Sequence, residues 1–220
     1  MLPYLLPVKV NLLAQYPLQL AALMDYYQIR RISNSDLTVF KHKLLGMPQK
    51  LLTKALSFGT ALHTLLLEPH KLGALPADVD EGLLNRLGAT VLADKQCRWY
   101  LRYSRKEQVE LFEDAHTGLP CKARLDVIYR RSMVLDFKTT SARTAGEFAA
   151  KCLQYDYDRQ AAFYLDAVGG KRFIFVGIQK VKPFGLFRLE ATARPGFVEY
   201  GRKKYQALLR KWKEVHSVPA

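Results

Sequence analysis

The order of local patterns along the chain predicts an α/β fold in which a central mixed sheet carries helices on both faces. Two observations lead there. Up to about residue 106 apolar residues recur at helical spacing, and from Glu107 the texture changes to extended runs rich in Val, Ile, Phe and Tyr. Extended runs return after a second helical stretch, so the order is helices, strands, helices, strands, helix. A folded chain of 220 residues buries roughly 70% of its unfolded surface, enough for one core without disulfides or a structural metal. Residues 1–220 therefore read as one domain, with a helical part over 1–106, a core over 107–190 and a basic helix over 195–214.

Each element has a local reason. Pro17 is pre-shaped for a first turn and opens a helix over 17–27, PLQLAALMDYY. In ISNSDLTVFKHKL, Ser33 or Ser35 caps a second, short helix. SFGTALHTLLLEP (57–69) forms a third, which Pro69 terminates. Residues 76–106 read as helical pieces with a loop. QVELFED, PCKARLDVIYRR and MVLDFKTT, separated at Thr117-Gly118 and at Arg130 to Ser132, form an antiparallel meander. Helices over 144–154 and 157–168 end at Gly169-Gly170. KRFIFVGIQKV and GLFRLEATA pair around Lys182-Pro183-Phe184-Gly185, and a long amphipathic helix starts near Pro195. There is no internal repeat, low-complexity stretch or linker.

With 34 Lys and Arg against 20 Asp and Glu, the formal charge is +14. A pI near 9.7 points to a polyanionic partner, either nucleic acid or an anionic membrane surface. The 49% apolar and 11% aromatic content excludes a disordered tail. Cys97, Cys121 and Cys152 are far apart and odd in number, as expected of a reduced, cytoplasmic protein. No run approaches the ~18 apolar residues of a membrane span. The opening MLPYLLPVKVNLL lacks a basic leading region and a small-residue cleavage site and contains two prolines, so it is not expected to be a signal peptide.

Strand alternation puts Lys122, Arg124 and Asp126 on one face and Cys121, Ala123, Leu125 and Val127 on the other. Asp136 and Lys138 share a face of the next strand, flanked by Val134, Leu135 and Phe137. A short turn brings Asp126 close to both. Two carboxylates and an ammonium on an otherwise apolar sheet suit metal-assisted phosphodiester hydrolysis. The carboxylates supply hard oxygen ligands for Mg²⁺, and Lys138 orients or activates water and offsets developing charge. Alone, an Asp followed some ten residues on by an acidic-x-Lys triplet arises by chance in about one such chain in two, and a solvated salt-bridge ladder explains it equally well. Further residues add to it. Glu110 on the preceding strand could add a third carboxylate, Gln160 and Tyr164 are helical neighbours at i and i+4, and His63 sits among Leu62, Leu65, Leu66 and Leu67.

Together these residues resemble the PD-(D/E)xK nuclease superfamily, and within it the RecE-type and lambda-exonuclease-like 5′-to-3′ double-strand DNA exonucleases. The resemblance is carried, in family order, by ISNSDL (32–37), FGTALHTLLLEP (58–69), VELFEDAHTGLPCKARLDVI (109–128), VLDFKTT (134–140) and RQAAFY (159–164); residues 76–106 have no clear counterpart. It implies a restriction-endonuclease-like core with a mainly antiparallel mixed sheet. By resemblance Asp126 and Asp136 bind metal with the Phe137 carbonyl, Lys138 is the catalytic lysine, and His63 ligates or borders the metal. Glu110 supports a second metal position, and Gln160 and Tyr164 correspond to the helix motif near the scissile phosphate. Asp136 stands where many relatives have Glu.

Hydroxyls at a helix N-terminus beside arginines suit a phosphate, so Arg30, Arg31, Ser33 and Ser35 form a candidate phosphate pocket, with Arg143 a weaker member, and the resemblance implies that it takes the 5′-phosphate end. The C-terminal helix presents Arg202, Lys203, Lys204, Arg210, Lys211 and Lys213 either to solvent or to a phosphate backbone or a neighbouring subunit. The resemblance implies cofactor Mg²⁺, as two ions with Mn²⁺ as a substitute, acting on double-stranded DNA with free ends. It also implies a ring-shaped homo-oligomer, a trimer favoured over a tetramer, working with a single-strand annealing protein in the cytoplasm of a bacterial or phage-infected cell. The alternatives are a Cas4-like or structure-selective nuclease, the former disfavoured by three scattered cysteines, and a non-catalytic DNA-binding module with structural carboxylates.

Overall fold

In the computed structural model, which describes residues 26–47 and 53–216, the extended runs form five strands in one sheet, ordered β1-β2-β3-β4-β5. β1 (Arg105–Glu113), β2 (Pro120–Tyr129) and β3 (Met133–Thr140) are the expected meander. β4 (Arg172–Gln179) runs parallel to β3, and β5 (Leu186–Glu190) antiparallel to β4, so three of the four pairings are antiparallel. A parallel neighbour requires a crossover, and the helical stretch between β3 and β4 supplies it.

Seven α-helices flank the sheet among the described residues: α1 (Asn34–Leu44), α2 (Thr53–Leu67), α3 (Glu81–Ala93), α4 (Lys95–Tyr103), α5 (Ala145–Gln154), α6 (Tyr157–Val168) and α7 (Phe197–His216). Leu37, Phe148, Phe163 and Tyr205 of α1, α5, α6 and α7 pack on one face with Ala123, Leu125, Val134 and Phe175. Leu62, Leu84, Leu87 and Cys97 of α2, α3 and α4 pack on the other with Val127, Leu135, Phe137 and Val176. The helix–sheet–helix layers are those predicted. Helices α6 and α7 cross so closely that a Cβ on Gly201 would lie 1.9 Å from the Asp158 carbonyl oxygen, so only glycine fits there.

Some boundaries differ from the sequence expectation. The unassigned 76–106 stretch holds α3 and α4, opened by Asp80 and Asp94, whose carboxylates accept from the N–H groups of Leu83 and Cys97 at 2.9 and 2.8 Å. β5 stops at Glu190, and a 3₁₀ turn covers Ala191–Ala193. Most of the helix predicted over 17–27 lies outside the described residues; Tyr26 and Tyr27 begin the 3₁₀ turn Tyr26–Gln28.

Asp94 also ties the helical layer to the sheet edge, its carboxylate 2.6 Å from Arg188 of β5. Burial alone would raise its pKa, but hydrogen bonds from Arg188 and Cys97 outweigh that and hold it at about 2. A folded pKa below the unfolded one stabilises above about pH 4, and the gain disappears as pH falls through the folded value. We expect Asp94→Asn to lower stability by about 1 kcal/mol at neutral pH in urea denaturation. The gap from the unsubstituted protein should narrow as pH falls through about 2 and the Asp94 carboxylate takes up its proton.

Candidate active site

The site follows from how two strands part. β2 and β3 pair only at Val127 with Leu135, Ile128 with Val134 and Tyr129 with Met133, although they are 10 and 8 residues long. Asp126 and Asp136 each stand one residue beyond the last pair, at the mouth of the fork. There the ladder is replaced by a side chain: Asp126 Oδ2 accepts from the backbone N–H of Phe137 at 2.9 Å. The change also breaks strict alternation. Leu125 and Ile128 both pack under α6 and α7, while Val127 packs on the opposite face. Lys122 and Arg124 keep the expected common face, both lying over the Tyr26 ring at 4.5 and 5.2 Å, and Arg124 pairs with the Glu107 that clusters with Asp126. Lys122 is buried, and its ammonium donates to the carbonyls of Tyr26 and Ile29 at 2.9 and 3.0 Å.

Four elements bring polar groups to the fork. From α2, His63 places Nδ1 3.4 Å from Asp126 Oδ2 and Nε2 2.7 Å from the Phe137 carbonyl. From β3, the Lys138 ammonium lies 2.5 Å from Asp136 Oδ1 and 4.9 Å from the centre of the Tyr157 ring. From α6, Gln160 donates to Asp136 Oδ2 at 2.8 Å. From β1, Glu107 lies opposite Asp126 in register and adopts a left-handed backbone at φ 49°. Arg124 pairs with it at 3.0 Å.

The charges divide as buried like pairs do. Burial would raise the Asp126 pKa, but His63, Lys138 and the Phe137 N–H hold it below the usual carboxylate range. Asp136 is pushed up to about 6 by burial and by Asp126, with Lys138 only partly compensating. Glu107 is pushed up to about 7 by burial and by the Asp126 charge. Burial disfavours a charged His63, yet the facing Asp126 outweighs it and lifts the ring to about 9. Both ring nitrogens face acceptors, which suits the imidazolium. The Lys138 pKa is also raised, since Asp136 overcomes the cost of burial, so this side chain acts as an ammonium donor.

A divalent cation fits this donor set. Single ligand atoms of His63, Glu107 and Asp126 all lie within 4.8 Å of one another, and the Phe137 carbonyl adjoins the imidazole. Carboxylate and carbonyl oxygens suit Mg²⁺ or Mn²⁺, and the His63 imidazolium would join them as a ligand only on giving up a proton to the incoming cation's field.

Residues 28–218 match the family described as a PDDEXK-like domain of unknown function (DUF3799). The chain belongs to this PDDEXK-like family. Its sheet and helices have the restriction-endonuclease-like α/β architecture. Among solved structures, a Eubacterium rectale protein provisionally named an exonuclease has the same fold, with TM-score 0.58 at 15% identity over 94% of this chain and 86% of its own. An alkaline exonuclease of Laribacter hongkongensis aligns at TM-score 0.44 and 11% identity over 86% and 91% of the two chains. A phage-related exonuclease of Haemophilus somnus aligns at TM-score 0.44 and 10% identity over 84% and 83%. No curated protein matches the sequence.

The fold of this PDDEXK-like chain gathers Asp126, Asp136, Lys138, His63, the Phe137 carbonyl and Gln160. Tyr164, one turn beyond Gln160, packs against Phe163 and Phe173, and burial followed by the Asp136 charge raises its phenol pKa. Glu110 is elsewhere. It lies opposite Ala123, is buried, and faces Arg131 at 3.4 Å. The β1 carboxylate that reaches the cluster is Glu107, three residues earlier. Sequence reasoning missed it because it began the strand too late; with β1 starting at Arg105, antiparallel register alone sets Glu107 opposite Asp126. Arg124 and Tyr157 were missed as partners because only tertiary placement brings them in.

The predicted phosphate group is not assembled into one pocket. Ser33 is committed to a capping box with Asp36, accepting from its N–H at 3.1 Å and donating to its carboxylate at 2.7 Å. Arg31 donates to the Phe112 carbonyl at 3.1 Å. Arg30 and Ser35 are exposed, and Arg143 lies in the exposed segment before α5, its N–H bonded to Glu147 at 2.8 Å.

If Glu107 completes the cation site, Glu107→Gln should weaken Mn²⁺ binding about tenfold in calorimetric titration. Glu110→Gln should change it less than about twofold while lowering thermal stability, because it removes only the partner of Arg131.

Proposed function

We propose that the protein is a divalent-metal-dependent exonuclease that degrades the 5′-ended strand of linear double-stranded DNA and leaves a 3′ single-stranded overhang for single-strand annealing. The observation that carries the nuclease reading is the fork itself: two carboxylates one residue beyond the last β2–β3 pair, with a lysine 2.5 Å from one and a histidine 3.4 Å from the other. Support for end-directed, 5′-to-3′ action comes from the ordered motif resemblance, and the Eubacterium rectale neighbour bears an exonuclease name.

Asp126, Glu107, His63 and the Phe137 carbonyl would hold Mg²⁺, with Asp136 beside them and room in this reading for a second ion. A bound cation polarises the scissile phosphate and acidifies water. The chain's own groups do the rest. Lys138 donates to phosphoryl oxygens as negative charge grows, and Gln160 fixes the Asp136 carboxylate so that it cannot swing away. Of the candidate phosphate group, Arg30 and Ser35, exposed beside the α1 N-terminus, are the members left to meet a 5′-phosphate. The +14 charge holds the duplex backbone and makes binding strongly salt-dependent. The same reading includes a ring-shaped homo-oligomer, favoured as a trimer, and an annealing-protein partner. No helix among the described residues is long and apolar enough to cross a membrane. Cys97, Cys121 and Cys152 are free and buried in two different clusters, with pKa values pushed up to about 12 by burial, which disfavours a Cas4-like iron–sulfur site.

The test is digestion with Mg²⁺ of end-labelled linear duplexes bearing a 5′-phosphate or a 5′-hydroxyl, alongside a covalently closed circle. Loss of the 5′-phosphorylated strand first, with the circle intact, is expected; equal cutting of the circle would make the protein an endonuclease. Lys138→Ala should slow digestion about a thousandfold while DNA affinity stays within a few-fold. A protein that binds DNA but never cuts it would be a binding module.

A further inference from the structure

A second polar–aromatic feature lies at the closed end of the same hairpin. The turn joining β2 to β3, helix α4 and the start of β1 enclose a cleft of about 480 Å³, lined by Trp99, Tyr103, Tyr129, Arg105, Arg130 and Arg131. Trp99 and Tyr103 are 42% and 57% exposed, and Trp99 stands edge-on to Tyr129 with centres 5.0 Å apart. The lining contains three arginines and no acid. Among the described residues, only Arg131 of these has a carboxylate facing it, Glu110 at the long distance of 3.4 Å. Arg130 lies over Tyr129 at 5.1 Å, and Arg105 is exposed.

The turn has the wrong residues for its shape. Ser132 N–H bonds the Tyr129 carbonyl at 3.1 Å, and both residues between them, Arg130 and Arg131, are left-handed at φ 49° and 53°. Such turns favour Asn and Gly, and two long cationic side chains accept backbone strain there. Turn stability does not select arginine here, whereas a ligand with negative charge would.

We propose that this cleft holds an unpaired strand of nucleic acid, a base stacking on Trp99 and Tyr103 while Arg105, Arg130 and Arg131 meet the adjoining phosphates. Flat aromatic faces beside guanidinium groups match exposed bases and a phosphate chain, whereas bases inside a duplex present no free face to stack. Arg130 follows Asp126 by four residues, or about 13 Å of strand, so an unpaired end leaving the fork would reach the cleft within a few nucleotides. The inference rests on the nuclease reading for its purpose but not for the binding itself.

The chain has two tryptophans, and the ring of the other, Trp212, packs on Phe40 across the sheet. Full-length protein carrying Trp212→Phe therefore reports on Trp99 alone. Titrated in EDTA with a short oligothymidylate, its fluorescence should be quenched as the oligonucleotide binds. Trp99→Ala should weaken that binding about tenfold by anisotropy, with recovery in Trp99→Phe. Arg130→Gln, at an exposed turn, should weaken it and lower the salt slope by about one. Binding without quenching, or unchanged affinity in both Trp99→Ala and Arg130→Gln, would overturn the proposal. Equal quenching by polyglutamate would reassign the cleft to an acidic peptide, and quenching that follows protein concentration alone would reassign it to a second copy. Linear duplex offered to the same preparations with Mg²⁺ separates the two readings: quenching without digestion removes only the nuclease, and digestion without quenching removes only the cleft.

Discussion

The arrangement depends on keeping two carboxylates buried side by side. Asp126 and Asp136 are 8% and 1% exposed. Removing one carboxylate from water costs several kcal/mol, and a second beside it costs more. The cost is met by cations and donors that no single element could supply. His63 comes from α2, Lys138 from β3, Gln160 from α6 and the Phe137 amide from the backbone itself. The helical layers therefore cannot be shifted independently of the fork. Moving α2 would leave Asp126 without its main counter-charge, and moving α6 would release Asp136.

The fork is held open by pairing elsewhere. All eight residues of β3 pair with β4, while β2 pairs with β1 along most of its length. Groups that face the fork are met from elsewhere: Asp126 accepts from the Phe137 N–H, His63 reaches the Phe137 carbonyl, and Ile32 donates to the Pro120 carbonyl and accepts from the Lys122 N–H. The parallel β3–β4 contact is the decisive one. It needs the crossover through α5 and α6, and that crossover is what delivers Gln160 to Asp136.

The sequence made the layers readable because helix and strand periods are local signals, and those signals agree with the burial found for β2, β3 and β4. It also made Asp126, Asp136, Lys138, His63 and Gln160 readable, since their spacing resembles a known motif. What it hid is tertiary. Glu107 and Glu110 are both acids of one strand, and only the register with β2 decides which meets Asp126. The break in alternation after Leu125 arises from strand separation, a property of two neighbours rather than of one run. Ser33 looked free to bind phosphate because the competing carboxylate, Asp36, is itself an ordinary first-turn residue of α1 until the capping box closes. The helices over 76–106 were obscured because their caps, Asp80 and Asp94, are common residues whose role shows only in the backbone.

The same local compensation bears on how a basic protein can carry an acidic centre. A cluster of three bare acids would repel a phosphate. Around this fork each acid has a cation in contact: Glu107 has Arg124, Asp126 has His63, and Asp136 has Lys138. The centre is thus close to neutral on its own, and the unmatched positive charge lies outside it, on surfaces such as the arginine-lined turn. A polyanion drawn in by the long-range field meets no opposing field at the end of its path. Burial and the Asp126 charge push the Asp136 and Glu107 carboxyls up to about 6 and 7, against the opposing pull of Lys138 and Arg124. On the proposed nuclease reading, a divalent cation entering among these acids would tip the balance to net positive where a scissile phosphate would sit.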